Sequence, residues 1–180
     1  MKKILLTLSM TALLLFTAGC SCPFSDKTAD SKPQMSTAKA SAAEVAPDFS
    51  YKELSSGKTM SLSDLKGKPV FINFWATWCP PCVGELPQIE KKYAEYKDRM
   101  HFVILSVDDN EQEPARFIKS KGYNQKRNPA AYGDHQALGR AYGIDAIPAS
   151  YIISADGHII ARIVGSMNES SLDAFLQKAF

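Results

Sequence analysis

The sequence predicts an α/β fold in which a central mixed β-sheet is flanked by helices. Two continuous runs of apolar, β-branched and aromatic residues, at positions 69–75 and 101–107, have the composition of strands buried on both faces. Each run is followed by a segment whose apolar residues recur at helical spacing. Two further strand patterns flank a tight Ala155-Asp156-Gly157 turn, which indicates an antiparallel hairpin near the C-terminus. Crossover helices together with a hairpin in one sheet make that sheet mixed.

A smaller β-hairpin is predicted ahead of this core. Short alternating segments between positions 48 and 60 surround the polar sequence Ser55-Ser56-Gly57-Lys58, which is typical of a turn between two strands. Residues 61–67 then have the pattern of one capped helical turn. We therefore expect an N-terminal β-hairpin extension of the central sheet.

The helices and the remaining strands follow in alternation. Helices are predicted at residues 81–97, 115–121, 138–142 and 169–179, and the hairpin strands at 150–154 and 158–164. Pro87 lies inside the first helix and should kink it, because proline has no backbone N–H to donate. The polar residues 123–134 are interpreted as a loop, and Gly122 and Gly143 as helix ends.

The first residues have the organisation of an export signal. Two lysines precede an apolar stretch at positions 4–18, which is somewhat short for a stable membrane span. The stretch ends in Phe16-Thr17-Ala18-Gly19-Cys20, which resembles the lipobox of bacterial lipoproteins with threonine in place of the usual leucine. That resemblance implies a lipoprotein signal peptide at residues 1–19 and lipidation of Cys20. An ordinary cleaved signal and an uncleaved anchor are the alternatives, and all three place the domain outside the cytoplasm.

A spacer separates this signal from the folded part. Residues 20–46 are rich in Ser, Thr, Ala, Lys and Pro and contain almost no large apolar side chains. Such a segment cannot bury enough surface to offset its chain entropy, so it is predicted to be a flexible tether. Residues 47–180 then form one domain of ordinary size. Cys22, within the tether, is interpreted as a linker thiol.

Charge and cysteine usage exclude several classes of protein. The chain has 21 basic and 19 acidic residues, and loss of Lys2 and Lys3 with the signal leaves 19 of each. No basic field exists to hold nucleic acid. Only two of the four cysteines lie in the domain, so the fold is not cross-linked by a framework of several disulfides. No second Cys/His pair at ligand spacing accompanies them, which disfavours a metal site.

The domain's two cysteines lie where the first core strand should give way to a helix, in Trp78-Cys79-Pro80-Pro81-Cys82. The start of a helix has unpaired N–H groups and the positive end of the helix dipole, which would stabilise a thiolate at Cys79. Cys79 is therefore predicted to be the attacking thiol. Cys82 falls one turn later on the same face, close enough to form a disulfide with it and resolve the intermediate. An exported protein with one such pair is expected to use it for redox exchange.

The run from Phe71 to Cys82, Phe-Ile-Asn-Phe-Trp-Ala-Thr-Trp-Cys-Pro-Pro-Cys, resembles the active-site segment of the thioredoxin superfamily. More narrowly, it is similar to the TlpA/ResA-like and CcmG/DsbE-like membrane-anchored thioredoxins of the bacterial cell envelope. The resemblance covers residues 46–180 and implies a thioredoxin-like fold, which the predicted order of elements matches. It implies that Cys79 is the nucleophile, that Cys82 is the resolving thiol, and that both form a redox-active disulfide.

The resemblance also implies a substrate-binding edge around the cysteines. Pro148 matches the cis-proline that lies against the disulfide, and the neighbouring backbone at Ile147 would contact a bound substrate; an ordinary trans turn is the alternative. Trp78 is expected to be half-exposed beside Cys79, where its ring can cover a partner's chain. Most relatives have threonine where this chain has Ala149, which removes a hydroxyl near the thiols.

Glu85, three residues after Cys82, matches an acid that the TlpA/ResA branch places near the buried thiol. If it faces the thiols beneath apolar side chains, it would relay the proton of Cys82. The alternative is an acid in an early helical turn, where the dipole favours negative charge. Thioredoxin has a buried aspartate six residues before its first active-site cysteine, and this chain has Asn73 there, which leaves Glu85 as the acid/base candidate.

The function that the resemblance implies is a lipid-tethered thiol-disulfide oxidoreductase, with neither cofactor nor metal, that reduces disulfides in other envelope proteins. Apocytochrome c is one such client in the family, and a membrane electron carrier of the DsbD/CcdA kind would return the enzyme to its reduced form. The lack of a histidine between Cys79 and Cys82 favours the reducing direction. The alternatives are a disulfide-donating oxidant, a thiol peroxidase and a metal-delivery or binding module.

Overall fold

The computed structural model describes residues 44–123 and 129–180. The described part begins after the predicted signal peptide and after Cys20. It includes only the last three residues of the predicted tether. Of the helices within the described ranges, none combines the length and the apolar character needed to cross a membrane.

A mixed sheet forms the centre of the domain. Its strands among the described residues are β1 (Ser50–Glu53), β2 (Thr59–Ser61), β3 (Val70–Trp75), β4 (His101–Ser106), β5 (Ala130–Tyr132), β6 (Ala149–Ile153) and β7 (Ile159–Val164). They lie in the order β2-β1-β5-β4-β3-β6-β7, with β3, β4 and β5 parallel and the other neighbours antiparallel. The predicted mixed sheet and both predicted hairpins, β1–β2 and β6–β7, are confirmed.

Four α-helices and two short 3-10 helices flank this sheet in the described ranges. They are α1 (Pro80–Tyr96), α2 (Gln112–Ser120), α3 (His135–Tyr142), α4 (Glu169–Leu176), and the 3-10 helices Leu62–Leu65 and Gln177–Ala179. Helix α2 begins three residues before its predicted start at 115. The side chain of Asn110 accepts hydrogen bonds from the backbone N–H groups of Gln112 and Glu113 there. Pro114 fits this first turn because it has no N–H that would need a partner.

One prediction was wrong. Residues 123–134 were expected to be a loop, yet the structure has β5 at Ala130–Tyr132 within them. This short strand pairs in parallel with β4 and antiparallel with β1, and so joins the N-terminal hairpin to the rest of the sheet. Three residues are too few for an alternating pattern to be visible, and the strand forms because of partners distant in the sequence.

Alternate residues of β3 face two separate layers of the core. Phe71 and Trp75 pack on the side of α1 and α4, whereas Ile72 and Phe74 pack on the side of α3 and the first 3-10 helix. Every residue of β3 is buried. Because side chains alternate along a strand, Asn73 faces the same side as Phe71 and Trp75. This places a polar amide against α1.

The first described residues are held at the turn of the C-terminal hairpin. The N–H of Ala46 donates to the carbonyl of Gly157, and the N–H of Ile159 donates to the carbonyl of Glu44, at 2.9 and 2.8 Å. Val45 forms an antiparallel bridge with His158. The chain therefore enters the domain beside the turn between β6 and β7.

Candidate active site

The two domain cysteines lie at the edge of the sheet where the parallel strands end. Strand β3 ends at Trp75, and a three-residue loop leads to Cys79, the residue that caps the N-terminus of α1. The N–H of Cys79 donates to the carbonyl of Ala76 at 3.2 Å, and the N–H of Cys82 points to Cys79 Sγ at 3.4 Å. The predicted position at a strand-to-helix junction is confirmed.

A disulfide bond joins Cys79 to Cys82, whose Cα atoms are 5.3 Å apart. Cys79 is 5% exposed, whereas Cys82 is 0% exposed. Cys79 thus keeps a small exposed area, whereas Cys82 has none. This asymmetry is the one required if Cys79 forms the bond to a partner and Cys82 resolves it.

The loop before β6 lies against this disulfide. The Ile147–Pro148 peptide bond is cis, and the carbonyl oxygen of Ile147 is 3.8 Å from Cys79 Sγ. Ala149, directly after it, is fully buried as the first residue of β6. Trp78, directly before Cys79 in the chain, is 66% exposed, more than the half-exposure expected from the sequence. A backbone carbonyl thus lies next to the sulfur of Cys79, and an exposed aromatic residue precedes it in the chain.

Glu85 lies inside the protein, one turn along α1 from Cys82. It is 2% exposed and its two carboxyl oxygens contact different elements. Oε1 accepts a hydrogen bond from Asn73 Nδ2 at 2.8 Å, and Oε2 accepts one from the backbone N–H of Met167 at 3.0 Å. Of the two interpretations made from the sequence, the buried position is therefore the one that the structure has.

The surroundings of Glu85 act on its charge in opposite directions. Burial raises the pKa of Glu85 to about 7, because a charged carboxylate is poorly solvated in the core, and the hydrogen bonds from Met167 and Asn73 oppose part of this rise. A carboxyl group with a pKa near 7 exists in both protonation states at neutral pH. It is thus suited to take up and release a proton.

Asn73 takes part in this site as a hydrogen-bond donor. Its Nδ2 donates to Ser150 Oγ at 3.0 Å as well as to Glu85, and Asn73 and Ser150 are paired residues on β3 and β6. The sequence did not identify Ser150 as a partner of Asn73 or the backbone of Met167 as a partner of Glu85. Both contacts join residues that are 77 or 82 positions apart in the sequence, so no local pattern indicates them.

Comparison with known proteins agrees with this geometry. The family model described as Redoxin matches residues 40–176. The thiol-disulfide oxidoreductase ResA of Bacillus thuringiensis is 34% identical over 134 residues, which are 74% of this chain and 75% of that protein.

Two solved structures have the same fold. One is a thiol:disulfide interchange protein of the thioredoxin family from Chlorobium tepidum, with a TM-score of 0.66 and 29% identity over 78% of this chain and 99% of that one. The other is the exposed lipoprotein thioredoxin Etrx1 of Streptococcus pneumoniae, with a TM-score of 0.64 and 26% identity over 73% of this chain and 99% of that one. The fold is thioredoxin-like, and the chain belongs to the Redoxin family as a thiol-disulfide oxidoreductase of the ResA type.

Proposed function

We propose that this oxidoreductase works in the cell envelope and reduces disulfides of exported proteins. An oxidoreductase of this type acts on disulfide-bearing substrates in general, and the export signal predicted at residues 1–19 supports the compartment. Likeness to a lipoprotein thioredoxin supports it further. The direction of electron transfer is the part that the site geometry supports best.

The proposed reaction proceeds in two exchanges. Cys79 thiolate attacks a disulfide of the partner, forms a mixed disulfide and displaces one partner thiolate. Glu85 carboxylate takes the proton of the Cys82 thiol, and the resulting thiolate attacks the sulfur of Cys79 and displaces the second partner thiolate. The partner gains two electrons, and the enzyme ends with the disulfide that the structure contains.

The burial of Glu85 in the core, one helical turn from Cys82, is the observation that carries the reducing direction. A carboxylate held in the core near the thiols disfavours a thiolate and so favours the disulfide form. The residues between the cysteines are Pro80 and Pro81, which supply neither a positive charge nor a backbone donor. Both features shift the equilibrium toward an enzyme that gives electrons away.

The reduction potential of the Cys79–Cys82 pair tests this direction. The full chain is equilibrated in graded mixtures of reduced and oxidised glutathione, and free thiols are trapped and counted. A potential close to that of thioredoxin, about −270 mV, supports a reductase. A potential near that of the periplasmic oxidant, about −120 mV, would make the protein a disulfide donor.

The clients and the reductant are proposed from the same chemistry. Each turnover leaves the enzyme oxidised, so a second protein must return two electrons, and we expect a membrane carrier of the DsbD/CcdA kind. Apocytochrome c is the proposed client class among exported proteins. Cys82→Ser removes the resolving thiol, so mixed disulfides on Cys79 accumulate in cells and their partners can be identified. Recovery of only cytoplasmic partners would contradict the proposed compartment.

Lipid attachment at Cys20, followed by a tether that ends at residue 46, is the proposed link to the membrane. Cells labelled with radioactive palmitate should yield labelled protein that fractionates with membranes. Cys20→Ala should remove the label and release the chain, while the neighbouring Cys22→Ala should leave both unchanged. Equal labelling of the two variants would contradict attachment at Cys20.

A further inference from the structure

A buried aspartate at the end of β4 holds the loop that leads to the reactive cysteine. Asp108 Oδ1 accepts hydrogen bonds from the Thr77 hydroxyl at 2.7 Å and from the Thr77 N–H at 3.1 Å, and Oδ2 lies 3.2 Å from that N–H. The Ser106 hydroxyl donates to Oδ2 at 2.7 Å. Asp108 itself is fully buried.

The geometry of the sheet explains how a residue just after β4 reaches this loop. Strands β3 and β4 are parallel neighbours, and Trp75 pairs with Ser106, so both strands end at the same edge of the sheet. The N–H of Val107 donates to the carbonyl of Trp75 at 2.8 Å and extends the pairing by one residue. Asp108 therefore lies beside Thr77 as each chain turns away from the sheet.

The contacts of Asp108 are those of an ionised carboxylate. Every hydrogen bond to its two carboxyl oxygens comes from a donor group of Thr77 or Ser106. None of the salt bridges within residues 44–123 and 129–180 includes Asp108. A negative charge is thus stabilised at this edge of the sheet by neutral donors alone.

Thr77 connects this charge to the site of reaction. Only Trp78 separates it from Cys79, so the Cα atoms of Thr77 and Cys79 are at most about 7 Å apart. The loop is short and is also closed by the hydrogen bond from Cys79 to Ala76. Fixing Thr77 therefore restrains the backbone that carries Trp78 and Cys79.

We propose that Asp108 is a positioning residue for Trp78 and Cys79, and that its charge favours the disulfide over the thiolate at Cys79. Reduction adds two electrons to the Cys79–Cys82 bond and produces one thiolate and one thiol, with one proton taken up. A negative charge held at Thr77, two residues before the new thiolate, opposes that step. Asp108 thereby makes the pair a stronger reductant.

Two measurements on the full chain test the two halves of this proposal. The first is the equilibrium with glutathione, in which two glutathione molecules reduce the disulfide and one oxidised glutathione forms. Asp108→Asn keeps the shape and removes the charge, so we expect the equilibrium constant for reduction to rise about tenfold, which corresponds to about 30 mV. A merely structural role would not move this constant in a folded, disulfide-bonded variant.

The second measurement is the rate at which reduced Cys79 attacks a disulfide such as oxidised glutathione. Thr77→Val removes the hydroxyl donor and should slow the attack about tenfold, since small displacements of reacting groups are costly. Thr77→Ser retains that donor and should react within about twofold of the natural chain. Ser106→Ala removes a donor to Asp108 that does not belong to the loop, so its rate should fall less than that of Thr77→Val.

Either of two results overturns the proposal. One is an unchanged equilibrium constant for reduction in Asp108→Asn, provided that this variant unfolds at the same denaturant concentration as the natural chain and is therefore folded. The other is equal rates for Thr77→Val and Thr77→Ser. If Asp108→Asn fails to fold, the pair of Thr77 variants decides the positioning role alone.

Discussion

Asn73 on β3 donates a 2.8 Å hydrogen bond to Glu85 on α1, inside the core and one helical turn from the disulfide-bonded Cys82. Thioredoxin has an aspartate at the position of Asn73, where this chain has an amide that cannot take a proton. The buried acid is therefore on the strand in thioredoxin and on helix α1, as Glu85, in this chain. The Asn73 amide donates a hydrogen bond that lowers the pKa of Glu85 and so opposes part of the rise caused by burial.

Replacing Glu85 with glutamine should slow the resolving step. The rate at which Cys82 expels a small aromatic thiol from Cys79 should rise in the natural chain as the pH passes about 7, because the carboxylate form of Glu85 is the base. Glu85→Gln should lower the rate at pH 8 about 100-fold and abolish this rise. Stopped-flow absorbance of the released thiol measures both effects. Glu90→Gln, a half-buried acid on the same helix, is the control and should change neither.

The stability of the oxidised protein should fall as the pH rises toward neutrality. The folded-state pKa of Glu85 is raised from 4.5 to about 7, so the folded state binds this proton more tightly than the unfolded chain. Its stabilising contribution is complete below pH 4.5 and is lost as the pH rises through about 7, a change of about 3 kcal/mol at most. Urea unfolding of the natural chain and of Glu85→Gln at several pH values measures it. Parallel curves for the two proteins would contradict the burial of a titrating carboxyl.

Asn73→Asp should move the resolving step to higher pH. The change exchanges a donor for a second acid at hydrogen-bond distance from Glu85, and two carboxyl groups in one site resist ionising together. We expect the midpoint of the pH–rate profile to rise by about one unit or more. Ser150→Ala leaves both contacts of Glu85 in place, so its midpoint should stay near that of the natural chain. A shift of equal size in both variants would instead indicate a general disturbance of the core.

Trp78→Ala should weaken recognition of protein substrates without unfolding the domain. The ring is 66% exposed beside Cys79, so it contributes little to the core and can cover a bound chain. We expect KM for a disulfide-bearing protein to rise several-fold, while the reaction with dithiothreitol stays the same. Trp78→Phe keeps an aromatic ring and should restore most of the affinity. An equal loss of rate with both substrates would indicate that Trp78 shapes Cys79 itself.

The elements whose hydrophobic pattern extends over many residues could be predicted from the sequence. Strands β3 and β4 are continuous apolar runs. Helix α1 begins directly after Cys79, within the Cys-x-x-Cys motif where a helix start was predicted. Strand β5 could not be predicted because it is three residues long and exists through its pairing with β4 and β1. Local composition has no information about such partners.

The same distinction holds for the candidate site. Cys79 and Cys82 are three positions apart in the sequence, and this spacing indicates their pairing. The contacts of Glu85 and of Asp108 join residues that are distant in the sequence and meet only when the domain has folded. Asp108 is one of three consecutive polar residues after β4, so the sequence gives no reason to prefer it over Asp109 or Asn110. Its burial and its four contacts distinguish it.

The entry of the chain beside the β6–β7 turn determines how the domain can be presented. Strand β6 runs from the loop at Pro148, next to the disulfide, to that turn, and its five residues span about 17 Å. Glu44 and Ala46 are bonded to the turn end of the hairpin. A domain held from that point would therefore turn its reactive edge outward, and an approaching protein would meet Trp78 and Cys79 before it met the point of attachment.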